Sequence, residues 1–261
     1  MEKITSRSNE KIKYASQLIS VSKRRERGEF LLEGARLCSD AADSGIETVR
    51  AFFTAEALEK YSGYIGHIIT ACGECYEISS DAAAKLSDTD NTQGVFCVCR
   101  VRENTASSLK ERGRYLMLEN VQDPSNTGSI FRSAEALGVD ALILSGGCDI
   151  YNPKALRAAM GSSLRMDVIT ADDAVSFIES NKNDGVVFLA CVPSSDALEL
   201  SSAVNRFKDR AVVCVLGNEG NGLSHGVISA CDGRVTIPMK GRAESLNVSV
   251  AAAIAAWELM K

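Results

Sequence analysis

The sequence predicts an α/β fold in two parts. Three observations predict it. Apolar residues make up 45% of the 261, against 24% charged and only 4 Pro, which is the profile of a compact globular chain and excludes disorder, collagen-like repeats and a coiled coil. Candidate strands and helices alternate along both halves, which argues for a mainly parallel sheet covered on both faces. The polar stretch 103–114, ENTASSLKERGR, interrupts that alternation and reads as a linker between residues 1–102 and 115–261.

Residues 1–27 carry eight bases (Lys3, Arg7, Lys11, Lys13, Lys23, Arg24, Arg25, Arg27) against three acids (Glu2, Glu10, Glu26). That is +5 locally in a chain of net charge −5, which leaves −10 for the remainder. The total by itself argues against a nucleic-acid partner, whereas its distribution points towards one. The run reads as an amphipathic helix burying Ile12, Ala15, Leu18, Ile19 and Val21. Its charges are either a solvated face or a footprint for phosphates. Beyond it, Leu31–Asp43 reads as helical, Val49–Phe53 as extended, Ala55–Tyr61 as helical and His67–Ala71 as extended. Ser80–Leu86 reads as helical and Gly94–Val101 as a β-rich run.

In the second part, strands are expected at Tyr115–Leu118, Ala141–Leu144, Val186–Cys191, Ala211–Leu216 and Arg234–Ile237. Helices are expected at Gly128–Leu137, Pro153–Gly161, Asp172–Ser180 and Asn247–Met260. Val248–Met260 is the most apolar stretch and is too short for a bilayer, which takes ~20 residues. The N-terminus lacks the apolar core of a signal peptide. A soluble, cytoplasmic protein is expected, its nine cysteines reduced and structural. Cys72-Gly-Glu-Cys75 is a lone pair, and Cys97 and Cys99 read as lying on opposite sides of a strand, so no metal is expected.

Three segments carry chemistry. In the first, Leu118–Leu144, a strand runs through a polar turn into a helix capped by Ser125 or Asn126 and stopped by Gly138. It carries Arg132, for which a surface ion pair with Glu135 is the plain alternative. The second, Val213–Ser224, is a buried strand emptying into a loop with Gly217, Gly220 and Gly222 around one acid, Glu219. Glycines let a ligand approach backbone closely, and the spacing is neither the dinucleotide fingerprint nor the phosphate loop with its lysine. The third runs from Val235 to the end: a short strand, Pro238, a loop through Gly241, and a helix starting near Asn247 with Ser245 at its mouth.

Together DPSNTGSIFRSAEALG, LGNEGNGLS and IPMKGRAESLNVSVAAAI, in that order, resemble the SpoU class of RNA 2′-O-methyltransferases, TrmH-like members of the SPOUT superfamily. The resemblance covers about Tyr115 to Lys261. It extends to the family's small α/β, ribosomal-protein-like substrate-binding domain through SRSNEKIK, the basic run before GEFLLEGARL, and LSDTDNTQGVFCV. It implies a parallel-sheet methyltransferase domain with a deep trefoil knot, S-adenosylmethionine as cofactor, a homodimer with the C-terminal helix in its interface, and RNA, ribosomal in preference to transfer RNA, as substrate. By the same analogy, Leu216, Gly217, Asn218, Gly220, Ile237, Met239, Leu246 and Asn247 would contact the cofactor. Arg132, Asn126, Glu219, Ser245 and Asn247 would form the catalytic set, with Arg132 serving a site across the dimer. Arg7, Lys11, Lys13, Lys23, Arg24 and Arg25 would bind RNA. A catalytically silent RNA- or ribosome-binding protein of the same fold is the alternative, and the four polar residues Arg132, Asn126, Glu219 and Asn247 count against it. A nucleotide-phosphate enzyme is a third reading, against which the loop's missing lysine counts.

Overall fold

The structure, a computed structural model, describes residues 1–102 and 109–261. Residues 103–108 of the expected linker lie outside the described residues. In chain order the elements begin β1 (Glu2–Ile4), α1 (Glu10–Gln17), α2 (Val21–Arg27), β2 (Glu29–Glu33), α3 (Ala35–Asp43), β3 (Thr48–Thr54), α4 (Ala55–Lys60), α5 (Ser62–Ala71), β4 (Cys75–Ile78), α6 (Ser80–Leu86) and β5 (Val95–Arg100). They continue with β6 (Arg114–Glu119), α7 (Pro124–Leu137), β7 (Ala141–Ser145), α8 (Pro153–Ala159), α9 (Ser162–Arg165), β8 (Asp167–Thr170) and α10 (Ala174–Asn181). The last are β9 (Val186–Cys191), β10 (Leu198–Glu199), α11 (Leu200–Arg206), β11 (Ala211–Leu216), α12 (His225–Ala230), β12 (Gly233–Thr236) and α13 (Val248–Met260). Two compact units result: residues 1–102 with Tyr151–Arg165, and residues 109–150 with Met166–Lys261. Tyr151–Arg165 thus packs with the first unit although it lies within the later half of the sequence.

The first unit is a five-stranded sheet of order β1-β4-β3-β5-β2, in which β5 runs antiparallel to its neighbours and the other pairs are parallel. Ile12, Ala15 and Leu18 cover one face with Ala82, Ala83 and Leu86 of α6. The opposite face carries α3, α5 and the returning α8 and α9. Both halves of β5 alternate between these cores, as strand geometry requires. Cys97 and Cys99, two residues apart, therefore share one face and one core, not opposite ones. Burial pushes their thiols well above the usual range, and pushes the Cys75 thiol up to about 12. All nine cysteines are free thiols.

The basic run departs from the single helix expected of it. The chain breaks after α1, where Leu18 caps, and restarts at α2, which leaves Val21 42% exposed. Two further stretches differ. Gly34, at φ +110°, separates strand β2 from helix α3 within what reads as one helix over Leu31–Asp43. His67–Ala71 is helical within α5, because Ile65 and Ile68 form a buried stripe at helical spacing.

The second unit is a seven-stranded, wholly parallel sheet of order β10-β12-β9-β11-β6-β7-β8. Buried apolar runs such as Val212–Leu216 suit strands covered on both sides. α10 and α12 pack on one face, while α13 lies against β6, β11 and α7. The chain builds outwards from β6 through β7 to β8, then crosses to the other side and returns to insert β11 beside β6. This reversal puts the carboxyl ends of β6 and β11 side by side, where open α/β sheets receive ligands.

Candidate active site

A carboxylate, Glu219, ties the loop after β6 to the loop after β11. The backbone N–H groups of Gln122 (3.2 Å) and Asp123 (3.1 Å) donate to Glu219, as does the side-chain amide of Asn126 (3.0 Å). Asn247 Nδ2 in turn donates to Asn126 Oδ1 (3.1 Å), so a relay Glu219–Asn126–Asn247 ties the three chemical segments together. Asn126 is available for this because it is not the helix cap expected of it or of Ser125. Asp123 caps α7 instead, accepting from the N–H groups of Ser125 (2.7 Å) and Asn126 (3.0 Å), with Pro124 in the first turn. Asn247 caps α13 by accepting from Ser249 N (2.8 Å) and Oγ (2.6 Å).

The glycine-rich loop folds back on itself. Asn218 and Gly222 exchange backbone hydrogen bonds of 3.0 and 2.9 Å. Asn218 Oδ1 accepts from Gly220 N (2.9 Å) and Asn221 N (3.1 Å), while its Nδ2 donates to the Asn120 carbonyl (2.9 Å). A Cβ at Gly217 would stand 2.2 Å from the Gly222 carbonyl carbon, so the fold-back requires glycine there. Ser224 N donates to Glu119 (2.8 Å), closing the loop onto the end of β6.

Beside this network lies a cavity of about 500 Å³, within the size range of small-molecule sites. Leu216, Gly217, Asn218, Gly220, Ile237, Met239 and Leu246 line it, together with Glu219 and Ser245. Asn126, Asn247 and Arg132 are outside the lining. Cys191–Pro193, Leu200, Ile228 and Glu244 also line the cavity. Glu244 lies in the third chemical segment, whereas Cys191–Pro193 carry no sequence signal of their own and belong because β9 is the sheet neighbour of both β11 and β12; Leu200 and Ile228 come from α11 and α12. The charged side chains of the lining are carboxylates only, Glu219 and Glu244.

The Arg132 side chain is exposed and makes no hydrogen bond or ion pair with a described residue, Glu135 included. Of the basic run, Arg7, Lys13 and Arg25 are exposed. Lys11 reaches Glu2 (3.4 Å) and Lys23 reaches Glu26 (2.6 Å). Arg24 is a correction: at 3% exposure it donates inward to the carbonyls of Leu18 (2.9 Å) and Ile19 (2.7 Å), so its guanidinium cannot meet a phosphate outside.

Residues 113–257, more than half of the chain, match the SpoU rRNA Methylase family. This chain belongs to the SpoU rRNA methylase family. In this SpoU protein, residues 9–97 further match an MRM3-like substrate binding domain. The SpoU chain is 31% identical over 262 residues, 99% of each protein, to the 23S rRNA (guanosine(2553)-2′-O)-methyltransferase RlmP of Bacillus subtilis (strain 168). Among solved structures it is similar to an RNA 2′-O ribose methyltransferase (29% identity, TM-score 0.80, 98% and 97% of the two chains). It is also similar to an AdoMet-bound rRNA methyltransferase from Sinorhizobium meliloti (26%, TM-score 0.86, 99% and 97%).

Proposed function

We propose that this SpoU protein transfers a methyl group from S-adenosylmethionine to a ribose 2′-hydroxyl of ribosomal RNA. The observation that carries the reading is the cavity itself: apolar walls, glycine-loop backbone and carboxylates, opening beside the Glu219–Asn126–Asn247 relay. A lining with no lysine or arginine is poorly suited to a nucleotide polyphosphate and well suited to an apolar-bodied ligand bearing a positive sulfonium. Leu216, Gly217, Ile237, Met239 and Leu246 would hold that cofactor, which supplies an electrophilic methyl group when bound.

A ribose hydroxyl is a poor nucleophile that must lose its proton as it attacks, so alignment and charge stabilisation are what this chain must supply. Arg132, with its guanidinium open, would hold the hydroxyl or a neighbouring phosphate and stabilise developing negative charge. A guanidinium offers N–H donors and no acceptor, which suits the clamp role. Ser245, exposed on the loop before α13, would orient the ribose, and the relay would fix the loops that face it. Arg7, Lys11, Lys13, Lys23 and Arg25 would grip the RNA backbone. A homodimer through α13 is supported by Val250 and Trp257, 48% and 55% exposed on one apolar stripe with Ile254 between them. The deep knot implied by the resemblance is in keeping with β11 inserted late between β9 and β6. The same chemistry on transfer RNA is the alternative reading, and a cytoplasmic location is part of the proposal.

Two measurements test this. Calorimetry on the well-folded protein is expected to show one S-adenosylmethionine per chain, and absence of binding would falsify the enzyme reading. Mapping 2′-O-methyl sites in RNA from cells with and without the gene is expected to reveal one ribosomal position that disappears. A position lost from transfer RNA instead would move the substrate.

A further inference from the structure

A second cavity, of about 320 Å³, lies within the first unit, and none of its lining residues belongs to the relay or the glycine loop. We propose that it receives a single unstacked nucleotide of the RNA, an inference that rests on ribosomal RNA being the substrate. A nucleotide offers apolar ring faces, a polar edge and an anionic phosphate, and this cavity presents a wall for each. Leu37 and Met160 are apolar, Thr89 and Asn91 are neutral hydrogen-bonding side chains, and Arg36 and Arg157 are guanidiniums that stack on a base or pair with a phosphate.

The cavity is built rather than incidental. The loop 87–93 is stitched to the start of α3: Glu33 accepts from Ser87 Oγ (2.6 Å), Thr89 Oγ1 (2.8 Å) and Asp88 N (3.1 Å). Gln93 accepts from Ala35 N (2.8 Å), and Asp88 holds Arg157 at 2.9 Å. The acids of the lining are thereby engaged, Glu33 by these donors and Asp40 by Arg165 at 3.8 Å and Arg36 at 4.0 Å. Met160 is 46% exposed and takes φ +51°, a left-handed conformation unfavourable to a residue with a Cβ. That backbone is the left-handed stop of α8, and it leaves the Met160 side chain exposed in the cavity wall. Most of the lining falls within residues 9–97 of the substrate-binding domain match, but Arg157 and Met160 come from the returning segment Tyr151–Arg165, so the complete cavity exists only once that segment packs back.

The test uses the full chain and ribosomal RNA from cells lacking the gene. Filter retention of RNA, S-adenosylmethionine calorimetry and melting are read for Arg36→Glu, Met160→Gly and a control, Lys60→Glu, an exposed base in the same unit that does not line the cavity. Both cavity variants are expected to weaken RNA retention by about fivefold or more, the lower end of what a stacked base contributes. Cofactor binding should be unchanged, and Met160→Gly should melt no lower than wild type, since glycine accepts that φ. Wild-type retention in both cavity variants, or an equal loss in Lys60→Glu, overturns the proposal. Retention is measured independently of methyl transfer, so a wild-type protein that binds RNA without methylating it would sink the reaction and leave this site decided by retention alone.

Discussion

At the scale of single residues, Glu219 is governed by opposing effects on its carboxyl. Burial pushes its pKa up, but hydrogen bonds from Asn126 and from backbone N–H groups, including those of Asp123 and Gln122, outweigh burial and hold it below its ordinary value. It is therefore an ionised acceptor at neutral pH, a positioning residue and a weak proton acceptor. Replacing it by Gln sets an NH₂ against groups that already donate. Methyl transfer should fall by about ten- to a hundredfold, the usual cost of losing hydrogen bonds to a charged group. The stability loss should be only about 1 kcal/mol, because the side chain is largely exposed and screened. A carboxyl with a lowered folded pKa contributes stability above its unfolded value, about 4.3, and loses it as pH falls through the folded value. The difference in melting temperature between wild type and Glu219→Gln should thus be present at neutral pH and shrink in acid. A difference constant down to the acid limit would show that Glu219 acts without its charge.

At the scale of elements, the α1–α2 break decides which bases face out. A basic run reports charge but not direction. Its buried stripe of Ile12, Ala15 and Leu18 is legible, yet the turn after Leu18 rotates α2 so that Arg24 points inward to close the end of α1. Arg24→Ala leaves two carbonyls without their donor and should cost about 2–4 kcal/mol, seen as a melting temperature lower by roughly 5–10 °C. Arg25→Ala should leave melting unchanged and weaken RNA retention. The reverse pattern would return Arg24 to the RNA-binding set. On the glycine loop, Gly217→Ala drives a methyl into the Gly222 and Leu223 backbone at 2.2–2.3 Å. Calorimetry should then show S-adenosylmethionine binding lost while the sheet still melts cooperatively, and wild-type affinity would mean that the loop does not shape the cofactor site.

At the scale of the whole molecule, we propose that a second copy of the chain completes the catalytic set. The relay gathers Asn126, Glu219 and Asn247, whereas Arg132 stands exposed and unpartnered among the described residues. If Arg132 serves a partner's site through α13, Trp257→Glu should convert a dimer to monomers by light scattering and abolish methyl transfer while cofactor still binds. Mixing inactive Arg132→Ala with inactive Asn126→Ala should restore roughly a quarter of the sites, because exchanged dimers bring one intact set together. A mixture that stays inactive would place Arg132 in its own chain's site.

Much was legible from the sequence alone: the parallel strands Tyr115–Leu118, Ala141–Leu144 and Ala211–Leu216, the stop at Gly138, and the family to which residues 113–257 belong. These are local matters, since apolar runs, glycines and caps act on their immediate neighbours. Short strands such as β10 at the edge of the second sheet, and β4 between β1 and β3 in the first, carry too little pattern to be read that way. What only the tertiary structure decided is non-local. The return of Tyr151–Arg165 to the first unit, the inward turn of Arg24 and the place of Cys191–Pro193 in the cavity wall all follow from strand order and packing between residues far apart in the chain. Hydrogen-bonding capacity is written in the residue types of Asn126, Glu219 and Asn247, but which of them meet is fixed only when β11 settles beside β6.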